Sequence, residues 1–600
     1  MKNHFSRLAF WTSAIAIFVV VLAFPRYNRP GTEATLAWDV SGYYLYLPAI
    51  FIYKDLKEVK FLPRIIEQYQ PSFAPDQAYP VGNGQQVMKY SAGMAVLYLP
   101  FFLIAHVIAN LTGYPADGFS LPYQVAIQIG GVLIAVLGLW FLRNNLLRFF
   151  SDRVTGWAVL LLALGTNFFN YATFDAANPH VWLFTLLALV VHFTIRWHER
   201  PNFRDAFLMG LCTGLAALVR PTEVLYALVP VLWGLASVRS LRDRVGVFFQ
   251  NFSHLIVAGA TVAAVGFIQL AYWKCVTGEW IVYSYQDQGF SFLHPHFADV
   301  LFSYRKGWFV YTPLMLFAVA GFFFLYKKSR ALFVPVFLFF LLNTWIVASW
   351  DIWWYGGAFG QRAMIQSYPL LAFPLAAFLG WMSGKNWSKW LFGILLAACL
   401  SLNLFQTYQA HWGPWEPDMM NRAYYWRIFA NLHDSPYDKL LLDTKEGFFG
   451  EKKNVRQLYF TDFESITDSV GISTQFARSG SRSAFADPQT PFSHTINLPR
   501  PPDMKAGEWL HISAWFFGPQ KEWEVWWMPQ LVVRFEKGGQ SVRERIVRPF
   551  RVLNQGEWGE VGMDIRVPEK DFDNIKVFLW NPANRVAMFM DDLKAEGFQE

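Results

Sequence analysis

Charge and cysteine are both scarce in this chain. Of its 600 residues 16% are charged and 54% are hydrophobic, where an ordinary soluble domain carries about a quarter charged residues. Apolar runs such as LAFWTSAIAIFVVVLAF at 8–24 recur, which excludes a single water-soluble globule and reads as a polytopic membrane protein over about the first two-thirds. The three cysteines, Cys212, Cys275 and Cys399, lie in or beside apolar runs, which excludes a disulfide framework. No Gly-rich phosphate loop stands on a βαβ pattern, so no soluble nucleotide-sugar signature is present. Internal repeats and low-complexity tracts are also missing. No small-residue cleavage site follows the first apolar run, only FPRYNRPG at 24–31, so that run reads as an uncleaved first helix. The net charge of +7 gathers in short loops, where topology accounts for it without nucleic acid.

What the chain does hold is aromatic and ordered by sign. Lys2 and Arg7 keep the N-terminus inside. The basic stretches RNNLLRFFSDR (143–153), RWHERPNFR (196–204), RSLRDR (239–244), KKSR (327–330) and the Lys385/Lys389 loop all fall on the cytoplasmic side only if 90–111, YSAGMAVLYLPFFLIAHVIANL, lies on or re-enters the outer face. About eleven spans result, at 8–25, 121–142, 155–171, 180–196, 206–219, 222–238, 252–274, 308–326, 331–349, 365–383 and 389–408, with the N-terminus inside and the C-terminus outside. Between the fifth and sixth, Arg220-Pro221 breaks the run, because proline cannot continue a helix and restrains its predecessor.

Beyond about residue 455 short alternating runs appear, at 510–517, 530–537, 560–567, 574–580 and 585–593. Strands at this spacing imply an antiparallel β-sandwich. The expected organisation is a membrane domain at 1–408 with an outer first loop and juxtamembrane segments at about 26–120, a periplasmic linker or collar at 409–454, and a periplasmic sandwich at 455–600.

Ionisable residues cluster at the outer helix ends and are scarce within the spans, which counts against an ion or proton pathway. A substrate partly in lipid and partly in water, such as a lipid phosphate, suits that distribution. Asp39 stands in LAWDVSGYYLYLP among Tyr43 and Tyr44. Lys89 precedes the juxtamembrane segment, Arg220 sits at the hairpin tip, and WDIWWYGGAFGQR brings Trp353, Trp354 and Arg362. Asp175 and His180 occupy NYATFDAANPH. Each has a plainer reading as well: Asp39 as an interface acid, the cations as interfacial anchors, the tryptophans as an aromatic belt, and His180 as a helix-start residue.

The order of these parts resembles the GT-C class of integral-membrane glycosyltransferases and is similar to the protein O-mannosyltransferases and the lipid A aminoarabinose transferases. AWDVSGYY matches the acid of the first outer loop, MKYSAGMAVLYLPFF at 88–102 the juxtamembrane segment, and GLAALVRPTEVLYALVP and WWYGGAFGQRAM segments of the bacterial branch. Many eukaryotic relatives carry two adjacent acids where this chain has Asp39-Val40. The resemblance implies sugar transfer, with inversion, from a polyprenyl-phosphate donor to an acceptor hydroxyl of a glycan, lipid or protein, outside the cytoplasmic (inner) membrane. Asp39 would be the base with Asp175 as a second acid. Lys89, Arg362 and Arg220 would hold the donor phosphate, and Tyr43, Tyr44, Trp353, Trp354 and His180 would shape the sugar and lipid pocket. No metal is expected in the membrane domain. The sandwich resembles jelly-roll carbohydrate-binding modules, in which Asp462, Glu464 and Asp592 would be candidate ligands of a structural calcium, the one divalent metal the chain suggests. A carrier or flippase for lipid-linked glycan and an oligosaccharide ligase or polymerase remain open as alternatives.

Overall fold

The apolar runs fold into long helices. In the computed structural model, which describes residues 4–72, 77–82, 84–384, 386–467, 470–583 and 585–600, the chain divides into two units, Met1–His411 and Trp412–Glu600. Lys2 and Lys385 lie outside the described residues. Eight helices among the described residues are long and apolar enough to cross a membrane: His4–Asn28, Gly93–Thr112, Leu121–Leu146, Pro179–Glu199, Phe252–Thr277, Arg330–Ser349, Arg362–Ser383 and Asn386–Trp412. Asp152–Leu164, Phe203–Val219 and Met315–Lys328 are shorter helices of the same bundle.

One expected span is corrected. Residues 222–238 do not form a continuous helix. After Arg220, whose extended backbone (φ −143°, ψ 119°) is the conformation a following proline imposes, the chain makes a tight 3-10 turn at Pro221–Ala227, a five-residue helix Leu228–Leu232, and then the separate helix Val238–Gln250. The RSLRDR stretch is therefore helical rather than a loop.

The helix Gly93–Thr112 has the length of a span, yet its contacts keep it at one end of the bundle. Leu121–Leu146 and Pro179–Glu199 run parallel: Gly131 abuts Ala176, Gly138 abuts Phe184, and Asn145 donates to Ala188 O at 2.8 Å. Phe203–Val219 returns antiparallel, with Arg196 paired to Asp205 at 3.1 Å. Residues 121, 179 and 219 thus share one end. Gly93 packs on the backbone of Val219, Tyr98 donates its hydroxyl to Ala177 O, and Gly118, past the helix end, accepts from Tyr44 of the first loop at 2.6 Å. The start of this helix and Tyr98 within it touch that same end, and the chain is back there at Gly118, just before Leu121–Leu146 begins.

In the second unit, alternation builds two antiparallel sheets. One places Trp509–Phe517 between Gly559–Arg566 and Met588–Gln599, the last also pairing with Lys453–Thr461 and Ser483–Ala486; the other runs in the order Ile496–Pro499, Asn574–Trp580, Gln530–Lys537, Gln540–Val547. Leu510, Ile512, Ala514 and Phe516 from the first sheet share a core with Leu531, Val533 and Phe535 from the second, the period-2 burial of a sandwich. Residues 412–454, within the stretch read as a collar, carry the helices Arg422–Ile428 and Leu441–Thr444 and group with the sandwich.

Candidate functional site

Asp39 opens the short helix Asp39–Tyr44 of the first loop. Trp38 before it sits at φ 50°, ψ −130°, a strained conformation for a bulky residue, and its N–H donates to Pro71 O at 2.9 Å. Tyr43 stacks on Tyr90 with ring centres 4.2 Å apart, and the Tyr90 hydroxyl donates to Asp39 Oδ1 at 2.7 Å. Gly42 lets Tyr90 come this close, since a Cβ there would stand 2.7 Å from the ring. On the other oxygen, Arg362 Nη2 donates to Asp39 Oδ2 at 2.7 Å. Desolvation raises the Asp39 pKa, but the Arg362 guanidinium, the Tyr90 hydroxyl and the Lys89 charge outweigh it and hold the carboxyl below its ordinary range. Burial and the Asp39 charge together keep Tyr90 far above its usual value, a neutral hydrogen-bond donor.

These residues border a cavity of about 370 Å³. Lys89, Arg220 and Arg362 bring three cations to its wall, Asp39 and Glu223 two carboxyls, and Tyr43, Tyr285, Trp350 and Tyr355 a run of aromatic faces. Tyr355 is again at positive φ, 53°. The contributing segments are the first loop, the stretch before Gly93–Thr112, the turn after Phe203–Val219, the loop after Phe252–Thr277, and the loop after Arg330–Ser349 with the turn that opens the next helix. All of them leave the same end of the bundle. A carboxylate beside cations and aromatic rings can hold an anionic headgroup and accept a proton from a neighbouring hydroxyl.

Asp39, Tyr43, Lys89, Arg220 and Arg362 come together here, and the other expected residues do not. Asp175 is paired with Arg26 and accepts from Asn170 Nδ2 at 2.9 Å, away from the cavity wall. Tyr44 is fully buried in the core with its hydroxyl spent on Gly118. Trp353 and Trp354 turn toward the Arg305 guanidinium, 3.9 Å from the Trp354 ring centre, and leave the wall to Ile352 and Tyr355. His180 is buried behind the wall, its Nδ1 at 3.2 Å from Gln366 Oε1. Glu223, Tyr285 and Tyr355 were visible as outer polar residues without being singled out; Tyr90 and Gln366 gave no signal beyond adjacency to Lys89 and Arg362.

The three candidate calcium ligands have protein partners within the sandwich. Glu464 accepts from Ser481 N and Arg482 N, each at 2.6 Å, Asp592 pairs with Arg478, and Asp462 caps Glu464 N at 3.2 Å. Those carboxylates are engaged in turns, and among the described residues no three of His, Cys, Asp or Glu form a metal-ligand set.

Residues 119–273 match the dolichyl-phosphate-mannose-protein mannosyltransferase family. No curated protein matches the chain. Among solved structures, arabinosyltransferase EmbB from Mycobacterium smegmatis aligns over 97% of this chain and 64% of its own, at 11% identity and TM-score 0.38. A family 16 carbohydrate-binding module aligns over 21% of this chain and 86% of its own, at 12% identity and TM-score 0.16. The CBM22-1 xylan-binding domain of Paenibacillus barcinonensis Xyn10C aligns over 25% and 98%, at 14% identity and TM-score 0.18. The mannosyltransferase-family match lies inside the helical unit, whose described helices include eight long and apolar enough to cross a membrane, and the chain carries a C-terminal β domain.

Proposed function

We propose that the cavity binds a polyprenyl-phosphate-linked hexose or pentose and transfers the sugar, with inversion, to an acceptor hydroxyl at the outer face of the cytoplasmic membrane, the C-terminal β domain lying in the periplasm. The observation that carries this reading is the Asp39–Arg362 pair at 2.7 Å in a cavity shared with Lys89 and Arg220. A lipid phosphate competes with Asp39 for Arg362. As the guanidinium turns to phosphate oxygens, Asp39 loses its strongest stabilising partner while remaining desolvated, so its proton affinity rises when a donor is bound. Asp39 then takes the acceptor proton. The acceptor oxygen bonds to the anomeric carbon, the anomeric C–O bond to phosphate breaks, and the electron pair leaves with the polyprenyl phosphate. Arg362, Lys89 and Arg220 stabilise that leaving charge. No step requires Asp175.

The test is sugar transfer by the purified chain from a panel of polyprenyl-phosphate sugars, with released polyprenyl phosphate as the readout. Consumption of one donor together with its loss in Asp39→Asn supports the reading. A wild type that consumes none, or an Asp39→Asn variant as fast as wild type, overturns it.

A further inference from the structure

The turn formed by Arg220, Pro221, Thr222 and Glu223 leaves one carboxyl oxygen without a role. Glu223 is 3% exposed and borders the cavity. Its Oε1 accepts from Gln366 Nε2 at 2.6 Å; the Thr222 and Tyr226 hydroxyls lie close to the carboxyl, but Tyr226 donates to Leu183 O at 3.1 Å, and Oε2 makes no hydrogen bond of good geometry among the described residues. A buried acceptor left in this state is costly unless a ligand supplies a donor. The side chain is also held in place. Gln366 bonds Glu223 through its amide nitrogen and His180 Nδ1 through its amide oxygen, at 3.2 Å. Turning that amide over would set its oxygen against the carboxyl.

The chemistry of the missing donor is narrow. The phosphate oxygens of a sugar phosphodiester offer no hydrogen at neutral pH, and their partners are the three cations. A polyprenyl chain offers no donor. A sugar hydroxyl does, and Tyr285, Trp350 and Tyr355 supply aromatic faces for the apolar side of a sugar ring in the same cavity. Resting on the reading of the cavity as a lipid-phosphate-sugar site, we propose that Glu223 accepts a hydrogen bond from one hydroxyl of the transferred sugar and so determines donor specificity, with Gln366 and His180 as its positioning residues.

The experiment uses the full chain, the polyprenyl-phosphate sugar that wild type consumes, and that donor's monodeoxy counterparts. Wild type should use one monodeoxy donor with kcat/KM lower by about 10- to 100-fold, the penalty for leaving a buried acceptor unpaired. In Glu223→Ala the parent donor should fall to the level of that monodeoxy donor, so that their ratio approaches one while ratios for the other monodeoxy donors hold. Glu223→Gln, which keeps the shape and one acceptor oxygen, should retain an intermediate ratio, and Gln366→Ala should lower it. Glu223 variants that slow every donor by one common factor overturn the inference, as does a Glu223→Gln that abolishes the acid limb of the kcat–pH profile, which would make Glu223 the base. A wild type that consumes no donor overturns the functional reading and this inference with it; an active wild type with unchanged ratios in both Glu223 variants overturns this inference alone.

Discussion

Asp39 and Arg362 are 323 positions apart in sequence and 2.7 Å apart in space, and the behaviour of the site turns on that pair. Asp39→Asn keeps the shape and removes the proton acceptor, so kcat should fall by about 10²–10⁴-fold while donor affinity rises, because Arg362 no longer has a carboxylate competing with the donor phosphate, both measured by single-turnover transfer. Arg362→Gln acts through the sign of the Asp39 shift. Burial pushes that carboxyl up and Arg362 pulls it down. In wild type the acid limb of kcat/KM should therefore lie below the ordinary Asp value of about 3.9. Without Arg362 the limb should move upward from its wild-type position, alongside a higher donor KM. A limb that stays in place in Arg362→Gln would show that Asp39 is not the titrating group. The stability contributed by the pair follows the same sign: it is present above the unfolded-state pKa and lost as pH falls through the lower folded value. Asp39, Lys89, Arg220 and Arg362 were legible because a charge at a helix end stands out in an apolar chain. Tyr43 and Tyr44 were not separable, because adjacent helical residues point about 100° apart and only packing shows that Tyr43 faces the cavity and Tyr44 the core.

Among the elements, the helix Gly93–Thr112 shows how far charge bias reads a fold. Hydropathy alone makes it a span; the distribution of basic loops and the contacts of Gly93, Tyr98 and Gly118 place it along one bundle end. Gly93→Ala should drive a methyl into the backbone of Val219, next to Arg220. Overpacking of this kind costs about 1–3 kcal/mol, to be seen as a lower thermal midpoint together with a raised donor KM. In the other unit, Asp443 is buried and pairs with Arg548 and, at 3.0 Å, with Arg551. Asp443→Ala would leave the buried Arg548 guanidinium without its carboxylate and Arg551 with Glu416 at 3.9 Å, and should destabilise that unit by about 3–5 kcal/mol, measured by denaturant unfolding. Four of the five strand runs read from alternation lie within one residue of the strands found, while 585–593 begins three residues early and stops six residues short of Met588–Gln599. Among the strands missed, Lys453–Thr461 and Gln540–Val547 are dominated by polar residues, and pairing with Met588–Gln599 and Gln530–Lys537 makes them strands. Residues 221–232 misled the helix count because a 3-10 turn keeps the apolar composition of a helix and changes only its hydrogen bonding.

At the scale of the whole molecule, charge separates the two ends of the helical unit. Arg148 of one basic stretch meets Glu199 of another at 3.1 Å, while the cavity and the first loop occupy the opposite end. The positive-inside rule predicts that the basic end faces the cytoplasm. A single experiment then tests both the orientation and the placement of Gly93–Thr112. In a background with the exposed Cys275 replaced by serine, new cysteines at Lys54, Tyr114 and Arg148 are probed with a membrane-impermeant maleimide in intact cells and after permeabilisation. Lys54 and Tyr114 flank the helix, and both are exposed. If the helix lies along the outer end, Lys54→Cys and Tyr114→Cys label in intact cells and Arg148→Cys only after permeabilisation. Labelling of Lys54→Cys without Tyr114→Cys would make the helix a true span and reverse every later loop, setting the basic stretches outside. Labelling of Arg148→Cys alone would turn the molecule over and place the cavity on the cytoplasmic side.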